Sequence, residues 1–268
     1  MPQLEVNDTS LYYEDTGPGS TGETVAFSHG LLWGTELFAP QIEALRPRYR
    51  CIAWDHRGQG RSGPEWRHTI DMEQCTYDAI ALLDKLGAKQ VTFVGLSMGG
   101  FVAMRVAARR PDLVRRLVLV ETAIGPEPRE NVGRYRMLTA AYRAIGGRLL
   151  EGQVAKIMLG KTILGDAARK DEVARYSALM RRRRDVWKAV NGVIDRAPLS
   201  EDELSRIAVP TLVIVGDEDV ATPLSKAQQI VAAIRGAKLE VVPHAGHSST
   251  VEEPAAVTAL IEQFVTSR

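Results

Sequence analysis

Residues 91–109 read VTFVGLSMGGFVAMRVAAR, and this stretch restricts the fold more tightly than any other. Val91–Val94 has the β-branched, apolar character of a buried strand. Helical spacing begins at Met98 and runs to Arg109, with Pro111 just beyond. Between the two sits G-x-S-x-G, with Ser97 flanked by Gly95 and Gly99. A strand that hands over to a helix through a single serine must turn sharply, and the turn stands the hydroxyl clear of the sheet edge. Glycine on both sides lets the chain bend without Cβ clashes. The helix that starts beside the hydroxyl points unsatisfied N–H groups at any oxyanion formed there. A glycine-rich structural turn is the plainer alternative, but the strand–serine–helix context favours a nucleophile.

The rest of the chain repeats the alternation. Leu4–Val6 and Leu11–Glu14 flank a polar NDTS and predict a hairpin. Strands are expected at Thr24–Ser28, Arg50–Asp55, Leu117–Val120, Thr211–Val215 and Leu239–Val242. Helices are expected around Phe38–Leu45, from about Pro223 to Ile234, and from Pro254 onward. Another opens at Asp71, with Gln74 three residues on as in a capping box, and stops at Gly87. After Val120 the alternation breaks. Residues 123–205 show about four helical patterns and no strand. One carries Val132, Tyr135, Leu138, Tyr142 and Ile145, and the others centre on Val154–Met158, Val173–Met180 and Val186–Ile194. Buried strands alternating with helices imply an α/β fold, a mostly parallel sheet of eight strands covered on both faces. The helical block is an insertion after the sixth strand. Residues 1–122 and 206–268 then form one core domain and 123–205 a helical cap. At 268 residues the chain is near the upper size of a single hydrophobic core.

Charge matters for the insertion. The net charge is only +1, yet Pro126–Ser200 holds 16 Lys/Arg against 8 Asp/Glu and includes Arg181-Arg182-Arg183-Arg184. A solvated helix face is the ordinary explanation, with attraction of an anionic ligand second. No nucleic-acid-reading motif accompanies the charges. Cys51 and Cys75 have no metal or redox spacing and are expected as small core residues. MPQLEVNDTS has no signal-peptide pattern and no run approaches the ~20 apolar residues of a membrane span, so a cytoplasmic location and no membrane partner are expected.

A serine hydroxyl is a weak nucleophile and needs a base with its own orienting acid. The histidines are His29, His56, His68, His244 and His247; the acids placed after strands are Asp55, Glu121, Asp217 and Asp219. Active groups in such sheets come from loops at the carboxyl ends of the strands, which leaves most of these open. The order serine, acid, histidine occurs in one known architecture, and Ser97, Asp219, His247 satisfies it.

With these pieces together, SHG at Ser28–Gly30, DHRGQGRS at Asp55–Ser62, GLSMGG at Gly95–Gly100, GDED at Gly216–Asp219 and GH at Gly246–His247, the chain resembles an α/β-hydrolase over nearly its whole length. The resemblance implies Asp219 as acid and His247 as base. It also implies an oxyanion hole from the main-chain N–H groups of Leu31 and Met98, with His29 bracing the oxyanion loop. The likeness is greatest to 3-oxoadipate enol-lactonases and related small-molecule esterases, some of which open N-acyl homoserine lactones. The expected activity is therefore hydrolysis of carboxylic esters or lactones through an acyl-enzyme, with no cofactor and no metal. The expected partner is the small-molecule substrate, and the chain is a monomer or homodimer. HGLLWG departs from the usual enol-lactonase loop. Trp33, Phe101, Met137, Leu138, Tyr142, Met158 and Trp187 are the candidate pocket residues, and the basic cap would suit a carboxylate-bearing substrate. Dehalogenases and epoxide hydrolases need a carboxylate where Ser97 stands. Metal-dependent lactonases need clustered histidines, and a dinucleotide fingerprint is missing. Cofactor-free perhydrolysis, carbon–carbon bond hydrolysis and a hydrolase-like small-molecule receptor share the same residues and stay open.

Overall fold

The computed structural model describes residues 2–181 and 186–266. Residues 182–184 of the arginine run lie outside that range. The sheet has eight strands: β1 (Gln3–Val6), β2 (Thr9–Asp15), β3 (Thr24–Ser28), β4 (Arg50–Trp54), β5 (Val91–Leu96), β6 (Val114–Val120), β7 (Thr211–Gly216) and β8 (Lys238–Val242). Their spatial order is β1-β2-β4-β3-β5-β6-β7-β8. β2 runs antiparallel to β1 and β4, and every other pairing is parallel. The hairpin turn is tighter than the polar NDTS suggests, because Thr9 and Ser10 already pair with Val6 and Glu5.

Side chains alternate between two cores. Ile52, Phe93, Leu117 and Leu119 face one side, where α2 (Met72–Lys85), α3 (Met98–Arg109) and α10 (Leu224–Ala233) cover them. Cys51, Val94 and Val118 face the other, under α1 (Ala39–Leu45) and α12 (Pro254–Thr266). Strands buried on both faces read as near-continuous apolar runs, and that is why the period-2 signal is missing from them. At α2 the cap differs from expectation: the Asp71 carboxylate accepts from the Glu73 amide at 2.9 Å. A reciprocal capping box forms instead at Ser200 and Glu203, opening α9 (Glu201–Ser205).

Between β6 and β7 the described residues form only helices and turns. α4 (Arg129–Ile145), α5 (Glu151–Met158), α6 (Lys161–Gly165), α7 (Lys170–Arg181) and α8 (Val186–Ile194) precede α9. α6 and α9 escape the helical count because five residues are too few to display a 3.6-residue period. This block is fastened to the sheet domain at several points. A Cβ at Gly192 would overlap the Ile70 carbonyl oxygen, so α8 lies directly on the segment before α2. The Ile70 amide donates to Lys188 O at 3.1 Å, and the Thr162 amide to Glu218 Oε2 at 2.8 Å. No described helix is long and apolar enough to cross a membrane.

From β3 the chain moves outward to β4, then returns past β3 to β5 and continues the other way. The crevice for a ligand in such a sheet lies where this order reverses, at the carboxyl ends of β3 and β5. Those ends carry Ser28–Leu31 and Leu96–Met98.

Candidate active site

Ser97 is the only residue between β5 and α3, and the turn falls on the serine itself, with φ 51° and ψ −112°. A non-glycine residue held there costs about 1–3 kcal/mol and must be fixed by its surroundings. The Ser97 amide donates to Val120 O at 2.8 Å, and the Thr122 hydroxyl donates to Ser97 O at 2.8 Å. The flanking glycines serve close approach. A Cβ on Gly95 would overlap the Gly99 carbonyl, and one on Gly99 would overlap the Ser28 carbonyl. A serine at a helix start ordinarily caps the helix with its own oxygen. Ser97 makes no such cap; its Oγ lies 2.9 Å from His247 Nε2.

His247 follows β8 in a loop stitched down on all sides. Its Nδ1 is 3.0 Å from Asp219 Oδ2, which places the Nδ1 proton toward the carboxylate and leaves Nε2 facing the serine. The Gly246 and Ser248 amides donate to the Glu252 carboxylate, Gly246 at 3.1 Å and Ser248 at 3.0 Å. Asp219 sits in the turn after β7. Its Oδ1 accepts from the Ala221 and Thr222 amides at 2.8 and 2.9 Å, and its Oδ2 from the Thr222 hydroxyl at 2.7 Å. Burial opposes the charge on both members of the pair, but their mutual attraction and hydrogen bonds outweigh it. The Asp219 carboxyl is held below the usual range and the His247 imidazole above its ordinary 6.5.

The other sequence candidates have structural partners. The Asp217 carboxylate accepts from the His244 amide at 2.7 Å, while the His244 side chain is exposed. Asp55 organises its loop through the Thr35 and Arg61 amides, each at 2.8 Å. His29 donates from Nδ1 to Gly30 O at 2.7 Å and accepts the His56 amide at Nε2, 2.9 Å away, so both nitrogens brace the loop that carries Leu31. Glu121 is fully buried at the end of β6, with no well-formed hydrogen bond to either oxygen. Burial, with the Asp219 and Glu252 carboxylates nearby, raises its acid well above the usual range.

Ser97 and His247 open onto a cavity of about 150 Å³, a space for a small organic molecule. Leu31 lines it beside the serine, and a Cβ on neighbouring Gly30 would touch the Ser97 Cβ at 3.4 Å. Met98 is the first residue of α3, where helix geometry gives its N–H no intrahelical acceptor. Phe101, Leu138, Tyr142, Met158 and Trp187 line the cavity as well. Two expected pocket residues do not. Trp33 is fully buried beneath the histidine loop, because its indole N–H finds its partner there, the Ser248 hydroxyl at 3.2 Å. Met137 is 71% exposed, since it projects from α4 about 100° away from Leu138. Residues that the sequence reading passed over include Thr222, Glu252, Glu127 and Arg196. For Thr222 a signal existed: an aspartate followed by short loop residues commonly bonds the main chain two and three positions on. The other three act across long sequence separations and leave no local pattern. Among the described residues, no group of three or more His, Cys, Asp or Glu is arranged to hold a metal ion.

A hydroxyl bonded to an imidazole, whose far nitrogen is held by a carboxylate, is an arrangement competent for nucleophilic attack on an acyl carbonyl. A family model described as alpha/beta hydrolase fold matches residues 23–254. A RutD protein of Caulobacter sp. (strain K31), named for carbamate hydrolysis, is 28% identical over 260 residues, 95% of either chain. The structure of the enol-lactonase from Burkholderia xenovorans LB400 is similar at a TM-score of 0.88 and 27% identity, over 99% of this chain and 100% of that one. Est816, described as an N-acyl homoserine lactone degrading enzyme, is similar at a TM-score of 0.81 and 26% identity, over 98% and 100%.

Proposed function

The chain belongs to the α/β-hydrolase family, and from that premise we propose that it is a serine hydrolase of small carboxylic esters or lactones, with Ser97 as nucleophile, His247 as base and Asp219 as orienting acid. The observation that carries this reading is the unbroken hydrogen-bonded line from Ser97 Oγ through His247 to Asp219, whose serine end opens onto a largely apolar cavity. In the proposed reaction, His247 Nε2 takes the hydroxyl proton as Ser97 Oγ adds to the acyl carbonyl. The oxyanion is received by the main-chain N–H groups of Leu31 and Met98. Collapse expels the alcohol oxygen, which collects the proton from Nε2, and leaves an acyl-serine. Water then gives a proton to His247 Nε2 as it adds to the acyl carbon; collapse breaks the acyl–Oγ bond, Nε2 returns the proton to Ser97 Oγ, and the acid is released. In a lactone the expelled alcohol stays tethered to the acid product, so one set of residues serves both substrates. Residues 123–205 act as the lid that walls the cavity.

Support for the ester or lactone subclass comes from the relatives named for lactone and carbamate cleavage, where the attacked carbon likewise carries an acyl oxygen. A series of nitrophenyl esters of increasing acyl length, run beside simple lactones and acyl-homoserine lactones, tests it. Wild-type protein should turn over a short or medium member, and Ser97→Ala should lose the product burst and the turnover while keeping its fold. Turnover retained in Ser97→Ala removes Ser97 from the nucleophile role.

A further inference from the structure

Among the described residues, the charged ones that line the cavity, apart from His247, are Glu127, Glu151, Arg181 and Arg196, two of each sign. They are paired: Arg181 Nη1 lies 2.7 Å from Glu151 Oε2, and Arg196 Nη1 lies 3.3 Å from Glu127 Oε2. The second pair is the unusual one. Its side chains are only 4% and 10% exposed. A buried ion pair rarely repays its desolvation, so a hydrophobic pair would serve packing as well. Its hydrogen bonds are also incomplete. Arg196 Nη1 donates to Glu127 and to Val193 O, whereas Nε is buried with no acceptor and Nη2 has none among the described residues. The guanidinium carbon lies over the Phe101 ring, 4.2 Å from its centroid. Phe101 is one helical turn beyond Ser97, about 6 Å along α3.

We propose that Arg196, neutralised by Glu127, is a specificity-determining donor for an uncharged acceptor oxygen, such as an amide or keto oxygen, carried a few bonds from the scissile carbonyl on an otherwise apolar substrate. This rests on the ester-hydrolase reading above and narrows it. It differs from the expectation of a carboxylate-bearing substrate: an added carboxylate would enter a largely apolar space and meet Glu127 beside Arg196.

The test uses full-length protein and three nitrophenyl esters of matched acyl length, with an all-methylene chain, a chain interrupted by an amide, and a chain ending in a carboxylate. Wild type should prefer the amide over the carboxylate ester by about tenfold or more in kcat/KM. Glu127→Gln should shift that ratio toward the carboxylate, because the Arg196 charge is then unopposed. The Glu127→Gln/Arg196→Met double variant leaves no lone charge and should bring the amide and all-methylene esters to within about twofold. A wild-type preference for the carboxylate, or an amide preference intact in the double variant, overturns the proposal. The wild-type ranking needs no variant to fold. Should no ester be hydrolysed, the serine-hydrolase reading fails by itself. The same rankings are then read as dissociation constants of the matching ketones, measured by calorimetry, and they judge Arg196 independently.

Discussion

In the proposed reaction, His247 sets the pH at which Ser97 can act. The imidazole must be neutral to accept the proton, and Asp219 stabilises its charged form, holding it above 6.5 in spite of burial. A base whose affinity for protons is raised loses activity sooner as pH falls. The acidic limb of kcat/KM in the wild type should therefore have its midpoint above about pH 6.5. Asp219→Asn removes the largest attraction and leaves burial opposed only by the Glu252 and Glu127 carboxylates, so the midpoint should move to lower pH while the plateau drops about 10³–10⁴-fold through the wrong tautomer. pH profiles of both proteins check this, and a midpoint that stays put in Asp219→Asn assigns the limb to another group. The juxtaposition of these three side chains could be expected from the sequence: Ser97 from the strand–G-x-S-x-G–helix context, and Asp219 and His247 only from the resemblance carried by GDED and GH. The pairing of Arg196 and Glu127 could not. They lie 69 positions apart, and neither has a neighbour whose type betrays the pairing. Glu121 could be read as an acid candidate, but its full burial near the Asp219 and Glu252 carboxylates is a property of the packed structure alone.

At the scale of elements, the strands and the helices around them followed from apolar runs and their breaks, and the insertion was visible as an absence of strands. The role of α4 was visible only in part. Its apolar positions recur at helical spacing, yet none of its residues is buried; the pocket candidates Leu138 and Tyr142 do line the cavity, whereas Met137 projects into solvent. Periodicity reports that a face avoids water, without telling whether protein or substrate covers it. Glycines divide in the same way. Gly99 and Gly152 both lie in helices, but a Cβ at Gly99 would overlap the Ser28 carbonyl, whereas one at Gly152 meets nothing within 4 Å. Gly99→Ala must push α3 off β3 and should destabilise by about 1–3 kcal/mol, with a loss of activity as Ser97 is displaced. Gly152→Ala should stabilise by about 0.5–1 kcal/mol with activity kept, because alanine lowers the entropy lost on forming a helix. Urea unfolding of the two variants beside wild type measures both, and equal shifts would mean that the α3–β3 approach relaxes at little cost.

On the scale of the whole molecule, the helical insertion and the histidine loop converge on one carboxylate. Glu252 Oε2 accepts the amide of Gly160, the residue before α6, at 2.7 Å, while its two oxygens also take the Gly246 and Ser248 amides on either side of His247. Gly160 and Gly246 themselves are in backbone contact, so no side chain fits between them. The wall of the cavity and the position of the base are thus fixed by the same group, and what loosens one loosens the other. Glu252→Gln keeps the size and removes one of the two acceptor oxygens, and its amide N–H₂ faces main-chain N–H donors. A buried donor left without an acceptor costs about 1–3 kcal/mol. The variant should melt several degrees lower, exchange the Gly160 and Gly246 amide protons faster, and lose kcat/KM about tenfold or more through the displaced imidazole. Hydrogen exchange read beside kinetics distinguishes this linkage from simple loss of stability. Faster exchange confined to Gly246, with Gly160 still protected, would mean that the insertion is held in place independently of the histidine loop.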